Sequence, residues 1–176
     1  MFRSFWLLLA SCLMLAGCSP TLNWREVRLA ASALKVLLPC KADQGSRPVE
    51  LAGQLVELQM VGCEAGAALF AVSHVELKDS SRMAEIQAGW QTAMLAAMAV
   101  KEPEVPVQRT AFELKGAAAQ PPAVRLQAQG RRPDGRAVMA QAVWFSQGTH
   151  LFHAVVYAER LGPAATEPFF AGLAFE

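Results

Sequence analysis

Apolar and polar positions alternate with period two over residues 56–61 and 124–129, the spacing of strands with one face buried. Val56, Leu58 and Met60 alternate with Glu57, Gln59 and Val61, so 49–62 reads as a hairpin turning near Gly53, with a half-buried second strand. Residues 67–77 form an apolar-rich strand candidate after a turn at Glu64-Ala65-Gly66. Residues 109–115 predict a modest strand and 116–122 a loop. Val124, Leu126 and Ala128 then alternate with Arg125, Gln127 and Gln129. Arg132-Pro133-Asp134-Gly135 is a turn sequence, because Pro presets φ and Gly tolerates its positive values. Strands over 137–145 and 150–159, joined across Ser146-Gln147-Gly148-Thr149, complete a three-strand antiparallel meander.

The period changes once. Met83, Ile86, Trp90, Met94 and Ala97 recur at helical steps and give one apolar stripe. Asp79-Ser80-Ser81 supplies cap residues ahead of it, and Lys101-Glu102-Pro103-Glu104-Val105-Pro106 stops it. Residues 163–172 predict a short closing helix, with Pro168 near its start and Phe169 and Phe170 directed into the core. Residues 22–38 are ambiguous: Ala30-Ala31-Ser32-Ala33 favours helix, whereas Trp24, Val27 and Val36-Leu37-Leu38 suit short strands, and Pro39 ends either. Strands, a helix, a meander and a last short helix make a single α+β domain over 24–176, an antiparallel sheet flanked by helices. No internal repeat is visible.

The first residues follow another logic. Arg3 precedes an almost unbroken apolar run from Phe5 to Ala16. Twelve helical residues rise about 18 Å, too short for a hydrocarbon core of about 30 Å, and a basic start followed by such a run is signal-peptide design. The run ends in Leu15-Ala16-Gly17-Cys18, which resembles the lipobox of bacterial lipoproteins. The resemblance implies a signal peptide over 1–17 cleaved before Cys18, a diacylglyceryl thioether on its sulfur, and a further acyl chain such as palmitate on the new amino terminus. At about 0.8 kcal/mol per buried CH₂, two or more chains hold a protein on a membrane. Ser19, where the resemblance gives Asp as the inner-membrane signal of enteric-type bacteria, points to the outer membrane. Residues 18–23 make a lipidated tether of roughly 15–20 Å that keeps the domain near the bilayer and facing the periplasm.

Charge and cysteines fit that address. The 176 residues carry 16 Lys+Arg against 15 Asp+Glu, and loss of Arg3 balances them. Near-neutrality excludes the basic footprint of a nucleic-acid-binding protein, so the expected partners are the membrane, through the lipid anchor, and an envelope protein or lipid. Of the four cysteines, Cys12 leaves with the signal and Cys18 takes the lipid. Cys40 and Cys63 remain in an oxidising compartment, and an even remainder predicts one disulfide. Neither has a CxxC spacing or a nearby His, so metal binding competes poorly.

The entry at Leu37-Leu38-Pro39, the early hairpin, the central helix and Phe169-Phe170-x-Gly172-Leu173 after a long strand together resemble the PsbP/Mog1-like α/β/α sandwich of small envelope proteins. The likeness covers most of 24–175 and leaves another α+β sandwich open. It implies binding or assisting other macromolecules and brings no catalytic signature; a fold does not by itself assign a function. The Cys40–Cys63 pair lies outside the general family pattern.

Catalytic motifs are sparse. Ser32-Ala33-Leu34-Lys35 matches the SxxK of Ser–Lys hydrolases, but that spacing works only on a helix, and SDN and KTG partners are missing. His150 and His153 are three apart on a strand, so their rings diverge to opposite faces; His74 is the third histidine. No GxSxG, HExxH, P-loop or dinucleotide fingerprint occurs. Arg125, Arg131, Arg132 and Arg136 gather around the meander turn as candidate contacts for lipid phosphates or an acidic partner, with a solvated hairpin tip as the competing reading. Trp24, Trp90, Trp144 and Tyr157 read as core. The sequence therefore predicts no cofactor, no metal and no enzyme, but a binding or assembly-accessory domain. A small-ligand or lipid-binding module, using a groove between the 83–97 helix and the sheet, is the alternative.

Overall fold

A computed structural model describes residues 22–30 and 32–176; the expected signal peptide, Cys18 and Ser19 lie outside them. The ambiguous segment resolves into a hairpin, β1 (Arg25–Arg28) and β2 (Leu34–Leu38), whose third neighbour is β10 (Ala174–Phe175). A second antiparallel sheet has seven strands. β3 (Asp43–Leu51), β4 (Gln54–Ala65) and β5 (Ala68–Glu76) lead into helix α1 (Met83–Ala97), which carries the chain across the sheet to its far edge. There β6 (Gln108–Ala111), β7 (Val124–Arg131), β8 (Ala137–Gln147) and β9 (His150–Ala158) return as a meander, so that β9 pairs with both β8 and β5. Helix α2 (Pro163–Ala171) precedes β10. The α+β class and the meander stand as the periodicity predicts.

Each face of the large sheet has its own core. Against one, α1 lays Met83, Ile86, Trp90, Met94, Leu95 and Met98 onto Val75, Ala142, Trp144, Leu151 and Val155. Against the other, the small sheet and α2 bring Leu34, Val36, Leu38, Phe169 and Phe170 onto Phe70, Val72, Phe145, Phe152 and Val156. Because β5, β8 and β9 are covered on both faces, they read as continuous apolar runs rather than alternations.

Several expectations change in detail. Helix α1 buries Leu95 and Met98 and leaves Ala97 in solvent, since the i+4 step from Met94 keeps the stripe over the sheet. In β4, Met60 is exposed and Val61 buried: the buried side switches where the strand passes under the small sheet. β6 stops at Ala111, four residues before the predicted end. Helix α2 begins at Pro163, whose missing N–H is harmless in a first turn, and Pro168 lies inside it. Of the aromatics read as core, Trp90 and Trp144 are buried, and Trp24 and Tyr157 only half-buried. On the face where a ligand groove is expected, α1 packs its buried side chains directly onto the sheet.

Cys40 and Cys63 form a disulfide, with Cα atoms 6.0 Å apart. It ties the chain leaving β2 to β4 and so fastens the small sheet to the large one. Replacing both cysteines by serine is expected to lower stability by about 3 kcal/mol, by loss of loop-closure entropy from a loop of this length, measurable as a lower denaturation midpoint. At the far end of α1, the Arg131 N–H donates to the Met98 carbonyl at 2.7 Å, and any Cβ on Gly130 would collide with Met98. Gly130→Ala is expected to destabilise by about 1–3 kcal/mol, read in the same unfolding experiment.

Candidate functional site

The four arginines do not form one cluster. Arg131, Arg132 and Arg136 sit at the β7–β8 turn, whereas Arg125 lies near the start of β7, about 20 Å away along the strand. At the tip, Arg136 binds Asp134 at 2.7 Å and Arg131 donates to the Gly135 carbonyl at 3.0 Å. The Arg136 hydrogen bond holds the Asp134 carboxyl below its ordinary pKa. Arg132 and Arg136 line a cleft of about 560 Å³ with Glu64, Glu159 and Arg160, a mixed-charge surface.

Arg125 is different. Its guanidinium carbon lies 5.1 Å from the centre of the Phe112 ring and 5.2 Å from that of Phe170, held between the chain beyond β6 and helix α2. Among the described residues no carboxylate lies within ion-pair distance of it, and its guanidinium N–H groups donate no hydrogen bond to the protein. The strand period places Arg125, Gln127 and Gln129 on the α2 face, opposite Leu126 and Ala128.

Arg125 and Glu167 stand in the shared wall of two clefts. The first, about 640 Å³, has a floor of carboxamides: Gln108 pairs with Gln127 and Gln127 with Gln141, a row across β6, β7 and β8, with Thr166 above. The second, about 780 Å³, is lined largely by Phe112, Leu114, Phe170, Leu173 and Phe175. Only the alternation of Gln127 and Gln129 with Leu126 and Ala128 was readable from sequence. The cross-strand row depends on register, and the second cleft on the return of the C-terminal segment.

The histidines separate as the strand period predicts. His153 lies under α1, buried, stacked on Trp144 at 4.5 Å and beneath Trp90. His150 instead meets His74 on the other face, with Nδ1 3.2 Å from His74 Nε2, a contact that only the β5–β9 register creates. Burial holds His74 down at about 4 and His153 at about 3. Among the described residues no group of three or more His, Cys, Asp or Glu is placed to hold a metal ion.

Ser32 and Lys35 do not share a helical turn. Ser32 occupies the bend before β2, where its hydroxyl accepts from the Leu34 N–H at 3.3 Å, and Lys35 on β2 pairs with Glu176 at 2.8 Å and Glu26 at 3.4 Å. Those carboxylates raise the Lys35 pKa, the reverse of what a general base requires.

No family model and no curated protein matches the chain. Among solved structures it is similar to the crystal structure of PA94, a protein of unknown function from Pseudomonas aeruginosa, at 18% identity and a TM-score of 0.37, over 82% of this chain and 86% of that one.

His153 is neutral in the folded state, whereas in the unfolded chain it takes up a proton near pH 6.5. Stability therefore falls as pH drops below 6.5, and between pH 6.5 and 4.5 this one side chain accounts for about 2–3 kcal/mol. His153→Phe is expected to flatten that acid slope in denaturant titrations at the two pH values; an unchanged slope contradicts the assignment.

Proposed function

We propose that this chain is a lipoprotein of the bacterial envelope, fastened by acyl chains on Cys18, whose domain binds or helps assemble another envelope component without chemically converting it. The reading of place rests on the Leu15-Ala16-Gly17-Cys18 box, and the Cys40–Cys63 disulfide fits a compartment outside the cytoplasm. Among the described residues no helix is long and apolar enough to cross a membrane. Ser19 favours the outer membrane. A helix over one face of an antiparallel sheet, with a helix and small sheet over the other, supports the PsbP/Mog1-like sandwich as the fold group.

The single observation that carries the role is Arg125, a cation gripped by two phenyl rings, open to two clefts and in no ion pair among the described residues. Such a residue is built for recognition. Of the groups weighed for proton transfer, His153 lies in the core and Lys35 is paired with carboxylates. The same clefts favour the second reading, a small-ligand or lipid-binding module, on the face opposite α1.

The anchor is tested by mass spectrometry of the mature N-terminus and by fractionation of Cys18→Ser cells. The expected results are a triacylated Cys18 and loss of the variant from the membrane fraction; a free thiol, or unchanged fractionation, overturns the anchor. The binding role is tested by a photocrosslinker at Gln127 in living cells. A defined envelope partner that Arg125→Gln abolishes supports it, and turnover of a substrate by the purified chain overturns it.

A further inference from the structure

We infer that Arg125 anchors a binding site for an anionic amphiphile, a molecule carrying one carboxylate or phosphate on an apolar chain; this deepens the binding-domain reading and rests on it. Phe112 and Phe170 satisfy the charge of Arg125 through their π faces, but they take up none of its N–H donors. A half-buried guanidinium whose donors lack acceptors is shaped for a planar oxyanion, which it can grip with two parallel bonds.

The surroundings of Arg125 select the rest of the ligand. On one side the carboxamides of Gln108, Gln127 and Gln141 offer N–H donors that can share an anionic head. On the other, Leu114, Leu173 and Phe175 extend the apolar wall begun by the two clamping rings, a place for a hydrocarbon tail. Each cleft falls within the size range of small-molecule sites. The charges nearby set the sign. In the carboxamide cleft the charged residues are Arg125 and Glu167. In the apolar cleft Glu113 and Lys115 oppose each other, and Glu176 is taken up by Arg28 and Lys35, at 2.8 Å from each. Glu167 opposes an anion, so its removal should strengthen binding.

The test is calorimetric titration of the full lipidated chain in zwitterionic nanodiscs, corrected for empty nanodiscs, with hexanoate, hexyl phosphate and hexyltrimethylammonium. At least one anion is expected to bind and the cation not to. Arg125→Gln should weaken the anion by roughly tenfold or more, and Glu167→Gln should tighten it about two- to fivefold. Preference for hexanoate identifies a carboxylate ligand such as a fatty acid, and preference for hexyl phosphate a lipid headgroup. The inference is overturned if neither anion binds the folded chain, or if the cation binds as well as the anions. An affinity unmoved by Arg125→Gln also overturns it. Should that variant not fold, Glu167→Gln decides alone: unchanged or weaker anion binding refutes the site. Failure here together with a specific Gln127 crosslink removes only the ligand class, whereas an unlipidated Cys18 removes only the anchor.

Discussion

Burial of β5, β9 and β8 on both faces is the constraint from which the rest of the molecule follows. Phe70, Val72, Phe145, Trp144, Phe152 and Leu151 are completely withdrawn from water, and full burial of such a side chain contributes about 1.5–3 kcal/mol. A sheet that apolar on both sides needs two covers. Helix α1 provides one; the 3-10 turn leading into it is capped by Asp79, which accepts from the Ser81 N–H at 2.8 Å, and α1 itself is held by Gln87, which donates to the Pro122 carbonyl at 3.1 Å. The other cover is composite: α2 and the three short strands share the work, and the disulfide keeps them in place.

The two covers end differently, and that difference produces the candidate site. Helix α1 fills its face with side chains. The composite cover ends short of β6 and β7, so Gln108 and Gln127 of the carboxamide row stay exposed while Gln141 on β8 is buried, and the gap between the chain after β6 and α2 is spanned by Arg125 lying between two phenyl rings. One residue therefore joins two parts of the structure and exposes its donors to both clefts. Under α1 the polar atoms meet another fate. His153 Nε2, Trp144 Nε1, Ser146 Oγ and Gln87 Oε1 are buried with no partner among the described residues. That environment penalises charge and keeps His153 neutral.

Much of the architecture was legible because its causes are local. Gly53 and Gly135 mark turns that the chain can make only with positive φ, and the 83–94 stripe reports a helix on an apolar surface. Segment 22–38 was not, because its mixed propensities are settled by pairing with β10, more than a hundred residues on. Arg125 was legible as a candidate contact but misplaced: grouping it with the turn arginines used proximity in sequence, while strand geometry carries it to the other end of β7. The His74–His150 contact and the glutamine row left no mark on a single segment, since each is a cross-strand relation.

The sequence alone determined the α+β class, the strand and helix periods, the pairing arithmetic of Cys40 and Cys63, and the divergence of His150 from His153, all consequences of residue type and spacing. Only the tertiary structure decided which sheet face closes and which stays open, where Met60 and Val61 exchange sides, and which arginine lies between two phenyl rings. Those outcomes depend on register and on surfaces brought together from distant parts of the chain, and no local pattern encodes them.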